Sequence, residues 1–148
     1  MKKPLSIPPT YFYLSIIINT AIFFFIPKYN VIPFPINLSG IALLIAGLYL
    51  IAKPYYLFKR YGTPEDYSKS TCVVCESCYK YSRNPMYLGA FIFLIGLAVF
   101  LKNVIGFISP VIFFLFINFM FIPFEENKMK NEIGQEYLEY KNRVRRWV

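Results

Sequence analysis

Residues 86–122 read MYLGAFIFLIGLAVFL (86–101), KN (102–103) and VIGFISPVIFFLFINFMFI (104–122). These are two uncharged apolar runs, each near or a little under the ~20 residues needed to cross a hydrocarbon core. Only Lys102 and Asn103 separate them. A connection that short forces an antiparallel helical hairpin. Upstream lie two more uncharged blocks, Tyr11–Ile26 and Ile36–Ala52. The first three blocks are short for a full span, so interfacial residues complete them. Four such blocks leave no polar face for water, which argues against buried helices of a soluble bundle. The 148 residues are 57% hydrophobic and 20% aromatic with a mean hydropathy of +0.45, more apolar surface than a soluble domain of this size can hide. The expectation is an all-α, multi-pass integral membrane helix bundle of one domain (1–148). It has about four transmembrane helices (11–26, 36–52, 86–101, 104–122), a cytoplasmic loop (53–85) and a C-terminal cytoplasmic amphipathic helix (124–144).

The first block follows Lys2 and Lys3 as a signal peptide would, but it ends in Ile26-Pro27-Lys28-Tyr29 with no small-residue cleavage site. It reads as an uncleaved first span. The formal net charge is +8. Two cations precede the first block, one separates the first and second, six fall in Lys53–Arg83, one is Lys102, and six follow the fourth. With four spans, fourteen of the sixteen share one face. This positive-inside pattern predicts both termini in the cytoplasm; bacterial plasma membrane and endoplasmic reticulum share the pattern, and a prokaryotic cell membrane is the expected location. It points to anionic lipid head groups as the partner of the basic surface and not to nucleic acid.

The chain has no histidine. That excludes Ser-His and Cys-His nucleophilic pairs, His-based zinc sites and haem ligation through His. No glycine-rich phosphate loop is present either. Chemistry here runs on carboxylates, tyrosines, arginines and backbone groups, or on a cofactor. Cys72, Cys75 and Cys78 form a C-x-x-C-x-x-C run. Without a fourth cysteine or a histidine the run is expected to be reduced cytoplasmic thiols, and no metal is predicted. Pro110, within the fourth block, is expected to kink that helix.

Two polar segments share the cytoplasmic face. In the first, Arg83 and Asn84 precede Pro85, which suits a first helical position. The helix start presents free N–H groups to a carboxylate, and Gly89 allows a ligand or another helix to approach closely. The same residues also suit an ordinary membrane boundary with a capping Asn and interfacial tyrosines. In the second, Glu125 and Glu126 follow the last span, where acids either favour the helix dipole or bind a cation. Beyond them Met129, Ile133, Tyr137, Tyr140 and Val144 recur at helical spacing, with Gly134 weakening the helix.

Together these pieces resemble the isoprenylcysteine carboxyl methyltransferase family and its bacterial and archaeal relatives, including phospholipid methyltransferases. The resemblance is carried by Tyr79, by Ser82-Arg83-Asn84-Pro85-Met86-Tyr87-Leu88-Gly89, by the tight hairpin, by Glu125-Glu126 and by the tail from Gly134 to Trp147. It covers roughly residues 73–148. It implies S-adenosylmethionine as methyl donor, with Tyr79, Arg83, Asn84, Pro85, Tyr87, Leu88, Gly89, Glu125 and Glu126 lining its site. Tyr137, Tyr140 and Arg143 are the candidate substrate contacts, and the acceptor is a lipophilic small molecule or a lipid. The chain departs from relatives at Ser77-Cys78, where many have Gly-Pro, and at Asn84, where eukaryotic members have His. Phe119-Met120-Phe121 stands where those members carry arginines. A nicotinamide-dependent membrane reductase of the sterol reductase type, whose tail is similar, and a catalytically degenerate membrane scaffold are the alternatives.

Overall fold

The computed structural model describes residues 8–60 and 77–148, excluding the side chains of residues 58–60. Every regular element among them is helical: α1 (Pro8–Phe25), α2 (Ser39–Arg60), α3 (Pro85–Phe100), α4 (Ile108–Phe116), α5 (Ile122–Ile133) and α6 (Gln135–Arg143). A 3-10 turn at Ile105–Phe107 leads into α4, and a π turn at Ile117–Phe121 joins α4 to α5. The result is a run of 29 residues, Ile105–Ile133. Pro8–Phe25, Ile36–Leu57 and Ile105–Ile133 are long and apolar enough to cross a membrane, whereas α3 has 16 residues.

The apolar side chains point outward. Phe25 is 84% exposed, and Ile17, Phe24, Ile45 and Phe119 are more than half exposed. On a protein in water such a surface would aggregate; here it is the lipid-facing side of an all-α membrane helix bundle. A small core of Ala90, Leu94, Phe113, Ile117, Phe121 and Ile122 joins α3 to the Ile105–Ile133 run, with Tyr11, Phe12 and Ile16 of α1 packed against it.

The most extensive packing is between α2 and α3, and glycines make it possible. Gly40 and Gly47 on α2 lie seven residues apart, as do Gly89 and Gly96 on α3. In the antiparallel pair Gly40 meets Gly96 and Gly47 meets Gly89. A Cβ on Gly47 would stand 2.6 Å from the Phe93 nitrogen, and one on Gly40 would stand 2.6 Å from the Gly96 oxygen. The backbones therefore touch, which is the way membrane helices gain dispersion energy when lipid removes the hydrophobic drive.

At the end of the bundle away from Arg83, the two short connections are tied together. Val104 N–H donates to the Tyr29 carbonyl (3.1 Å) and Ile32 N–H to that of Lys102 (3.2 Å). The fully buried Asn103 donates through Nδ2 to Asn30 Oδ1 at 2.7 Å. Lys102 takes a positive φ of 62° to close the hairpin.

The helix limits differ from the sequence reading in three places. The second helix continues past residue 52 to Arg60 and carries Pro54 inside it. The predicted C-terminal helix over 124–144 is two helices. Its first part is continuous with the last span, and it breaks at Gly134, whose φ of 73° and ψ of −127° no helix accommodates. Pro110 falls in the first turn of α4. The Gly106 carbonyl, its acceptor in a regular helix, instead receives the Ser109 hydroxyl at 3.2 Å. The helix irregularity lies at the π turn instead.

Candidate functional site

The chain enters α3 through a 3-10 turn, Ser77–Lys80, that starts with Ser77 at a φ of 54°. This is left-handed backbone, which suits glycine best, and here a serine adopts it. Tyr79 follows, buried, and its carbonyl accepts the Tyr140 hydroxyl at 2.9 Å. Pro85 occupies the first position of α3, with Asn84 as N-cap residue. Asn84 does not cap through its side chain. Its Nδ2 donates to the Arg146 carbonyl at 2.9 Å.

The centre of the site is Glu126, on α5. Its Oε1 accepts Arg83 Nη1 at 2.8 Å; its Oε2 accepts Lys141 Nζ at 2.8 Å and Arg146 Nη2 at 3.3 Å. The Arg83 and Glu126 side chains are each 10% exposed, whereas those of Lys141 and Arg146 are 40% and 34% exposed. Among the described residues Arg83 Nε is buried without a hydrogen-bond partner, and three cations surround the one carboxylate of Glu126. The neighbouring acid is arranged differently. Glu125 Oε1 accepts the Tyr87 hydroxyl at 3.0 Å, and no lysine or arginine among the described residues forms an ion pair with it. The Tyr87 ring stands 6.2 Å from Phe121, which in turn stands 6.3 Å from Phe124.

Behind this cluster, α6 packs Tyr137 and Tyr140 inward. Burial pushes the Tyr137 hydroxyl pKa above its ordinary value, and the negative charge of Glu126 adds to the shift. The chain then leaves α6 and runs back across the start of α3. Arg145 O accepts Arg83 N–H at 3.0 Å, and Arg146 O accepts the Ser82 hydroxyl at 3.4 Å. Trp147 ends this return. Its indole N–H donates to Asn118 Oδ1 in the π turn at 3.0 Å, and its ring lies 4.9 Å from that of Phe114.

Of the residues singled out in the sequence, Arg83, Asn84, Pro85, Tyr87, Glu125 and Glu126 come together at one end of the bundle. Leu88 lies one turn into α3, its N–H bonded to the Asn84 carbonyl. Gly89 faces α2: a Cβ there would stand 2.8 Å from the Gly47 carbonyl, so its close approach is to a helix. Arg143 is exposed and borders a shallow depression of about 280 Å3 shared with Lys80, Tyr140 and Val144. Cys72 and Cys75 lie outside the described residues, and Cys78 is a half-buried free thiol. Sequence reasoning gave no role to Lys141, Arg146, Asn118 or Trp147. The signal available for them was a polar Asn118 inside an apolar run, and cations in a segment that follows a glycine break.

Comparisons with known proteins bear on the family and not on the arrangement of the site. No solved structure matches the chain. An uncharacterized protein of Haemophilus influenzae is 36% identical over 63 residues, which is the whole of that protein and 43% of this chain. The phospholipid methyltransferase family matches residues 36–136. That match runs from the start of the second apolar block through the hairpin, both acids and the Gly134 break, and covers well over half of the chain. The chain belongs to the phospholipid methyltransferase family.

Proposed function

We propose that this protein transfers a methyl group from S-adenosylmethionine to a lipophilic or lipid acceptor held in the bilayer. The observation that carries this reading is the Arg83–Glu126 ion pair, which joins the start of α3 to α5 with Lys141 and Arg146 around it and Glu125–Tyr87 beside it. The residues present fit the cofactor's amino-acid end. Arg83, whose buried Nε has no partner, and the cations sharing Glu126 suit a carboxylate. Glu125, whose side chain has a hydroxyl partner and no ion pair among the described residues, suits an ammonium group. The rings of Tyr87 and Phe124, both half-buried, are the aromatic groups at hand for a sulfonium. When bound, S-adenosylmethionine supplies an activated methyl group on that sulfonium.

The chain's own part is positioning. An in-line displacement gains most from holding the reactants at the correct distance and angle. A helix start, a paired acid and a folded-back tail fix that end of the site. A carboxylate or thiolate acceptor is already nucleophilic and needs no base, which suits a chain without histidine. An amine acceptor first gives up a proton, for which Glu125, hydrogen-bonded to the Tyr87 hydroxyl, is the carboxylate at hand. The fourteen-to-two distribution of cations supports a cytoplasmic position for the site and both termini. The cofactor then arrives from the water and the acceptor from between the lipid-facing helices.

Two measurements test the proposal together. Purified protein should bind labelled S-adenosylmethionine and not NADPH, and it should move label into a total lipid extract, with the product identified by mass. Binding of NADPH alone would replace the reading with a reductase. Binding of neither, in a folded sample, would leave a membrane scaffold.

A further inference from the structure

The segment after α6 is irregular, with Val144 extended, yet it delivers three things to the site. These are the Arg145 carbonyl to Arg83 N–H, the Arg146 carbonyl to Asn84, and the Arg146 guanidinium to Glu126. Holding irregular chain in one conformation costs backbone entropy, so something beyond Arg146 must anchor it. Trp147 is that anchor. Its ring lies 4.9 Å from that of Phe114 at a tilt of 32° and packs against the α3–α4 core, and its N–H bonds Asn118 at 3.0 Å. Asn118 lies in the π turn of a helix otherwise lined there by Ile117, Phe119, Met120 and Phe121. A polar side chain in that setting is costly unless paired, and Trp147 Nε1–H is the donor that pairs with its oxygen.

We propose that Asn118 and Trp147 are positioning residues for cofactor binding: their hydrogen bond latches the tail so that Arg146 and the carbonyls beside it complete the Arg83–Asn84–Glu126 pocket. This rests on the reading of that pocket as the cofactor site. Neither residue touches Arg83 or Glu126, and each acts through the tail. Asn118 and Phe114, four residues apart, share the helix face that Trp147 covers.

The test is equilibrium binding of labelled S-adenosylmethionine by the full chain in detergent, comparing the parent with Asn118→Leu, Trp147→Phe, Arg146→Gln, Glu126→Gln and the double variant Asn118→Leu/Arg146→Gln. Trp147→Phe keeps an aromatic six-membered ring while removing the N–H together with the fused five-membered ring, so it stands in if Asn118→Leu does not fold. Asn118→Leu and Trp147→Phe should each weaken binding by roughly three- to tenfold. Arg146→Gln should weaken binding of the parent but add little in the Asn118→Leu background, because an unlatched tail no longer delivers the guanidinium. Trp147 is the single tryptophan of the chain, so its emission reads the tail directly and should shift to the red in Asn118→Leu. A role in stability alone would give independent, additive effects of Asn118 and Arg146 on affinity, and that result overturns the latch. Parent-like binding by Asn118→Leu and Trp147→Phe, with Glu126→Gln weakened, overturns the latch and leaves the site standing. Parent-like binding by Glu126→Gln removes the role of the Glu126-centred cluster in cofactor binding, and the latch with it.

Discussion

Glu126→Gln isolates the charge at the centre of the site while keeping the side-chain shape. In the parent, Oε1 faces Arg83 and Oε2 faces Lys141 and Arg146, all within 3.3 Å. The three cations do not lose equally. Lys141 and Arg146 are more than a third exposed, so water takes over from the carboxylate and each pair is worth about 0–1 kcal/mol. Arg83 is 10% exposed and its Nε already lacks a partner. Removing the counter-charge of such a group costs about 3–5 kcal/mol. Expressed as binding, losing one partner of a desolvated pair costs about 2–5 kcal/mol, or roughly thirtyfold to several thousandfold. Part of that cost falls on the unliganded protein as well. The expected outcome is therefore that Glu126→Gln or Glu125→Gln weakens S-adenosylmethionine binding by more than about tenfold, and that Arg83→Ala does the same. Glu139→Gln, on the exposed face of α6, should bind like the parent. The assay is titration of labelled cofactor into each detergent-purified variant, with thermal unfolding alongside to separate a damaged site from a damaged fold. Parent-like affinity in all four variants would refute the reasoning: the acids would then be helix residues and the cations ordinary boundary charges.

Tags at both termini should react only with reagents admitted to the cytoplasm; labelling of either terminus from outside sinks the four-crossing arrangement. Gly47→Ala places a Cβ 2.6 Å from backbone of α3 and should destabilise the bundle by about 1–3 kcal/mol, read as a fall in Tm. Gly134→Ala meets no neighbour and should lose only the cost of a positive φ, about 1–3 kcal/mol, without disturbing the α2–α3 pair. Because burial raises the Tyr137 pKa, the stability this group contributes is complete below the ordinary tyrosine value of 10.0 and is lost as pH rises through the higher folded value. Tyr137→Phe should accordingly flatten the alkaline fall in Tm. A variant with Cys72, Cys75 and Cys78 all changed to Ser should keep its fold and its cofactor affinity, and metal analysis of the parent should show no stoichiometric zinc or iron.

The helices were legible because their signal is composition summed over many residues, and one uncharged block needs no partner to be recognised. The meeting of Arg83 with Glu126, 43 residues apart, followed from the two-residue hairpin, which leaves the flanking segments little choice of place. The α2–α3 seam was also written in the chain, as two glycine pairs each seven residues apart. Periodicity arguments weigh the side chains that are present, so a contact made by missing ones passes unnoticed. The break at Gly134 depends on a backbone angle that a glycine permits without announcing. The π turn and the return of Arg146 and Trp147 depend on tertiary packing, since nothing local to Val144 dictates where the next four residues go. That return supplies one of the three cations on Glu126, Arg146, and α6 beyond the Gly134 break supplies another, Lys141; spacing revealed neither.

The brevity of α3 has a consequence for the lipid around it. Its 16 residues extend about 24 Å at 1.5 Å per residue, several ångströms less than a typical hydrocarbon core of about 30 Å. Seamed to α2 by backbone contact, it has little freedom to slide toward either surface. The bilayer beside α3 must thin to meet it, or head groups must dip toward its ends. Either adjustment lowers the local water boundary toward Arg83 and Glu126, so acyl-chain length becomes a physical variable for this protein: longer lipids deepen the dimple and shorter ones erase it.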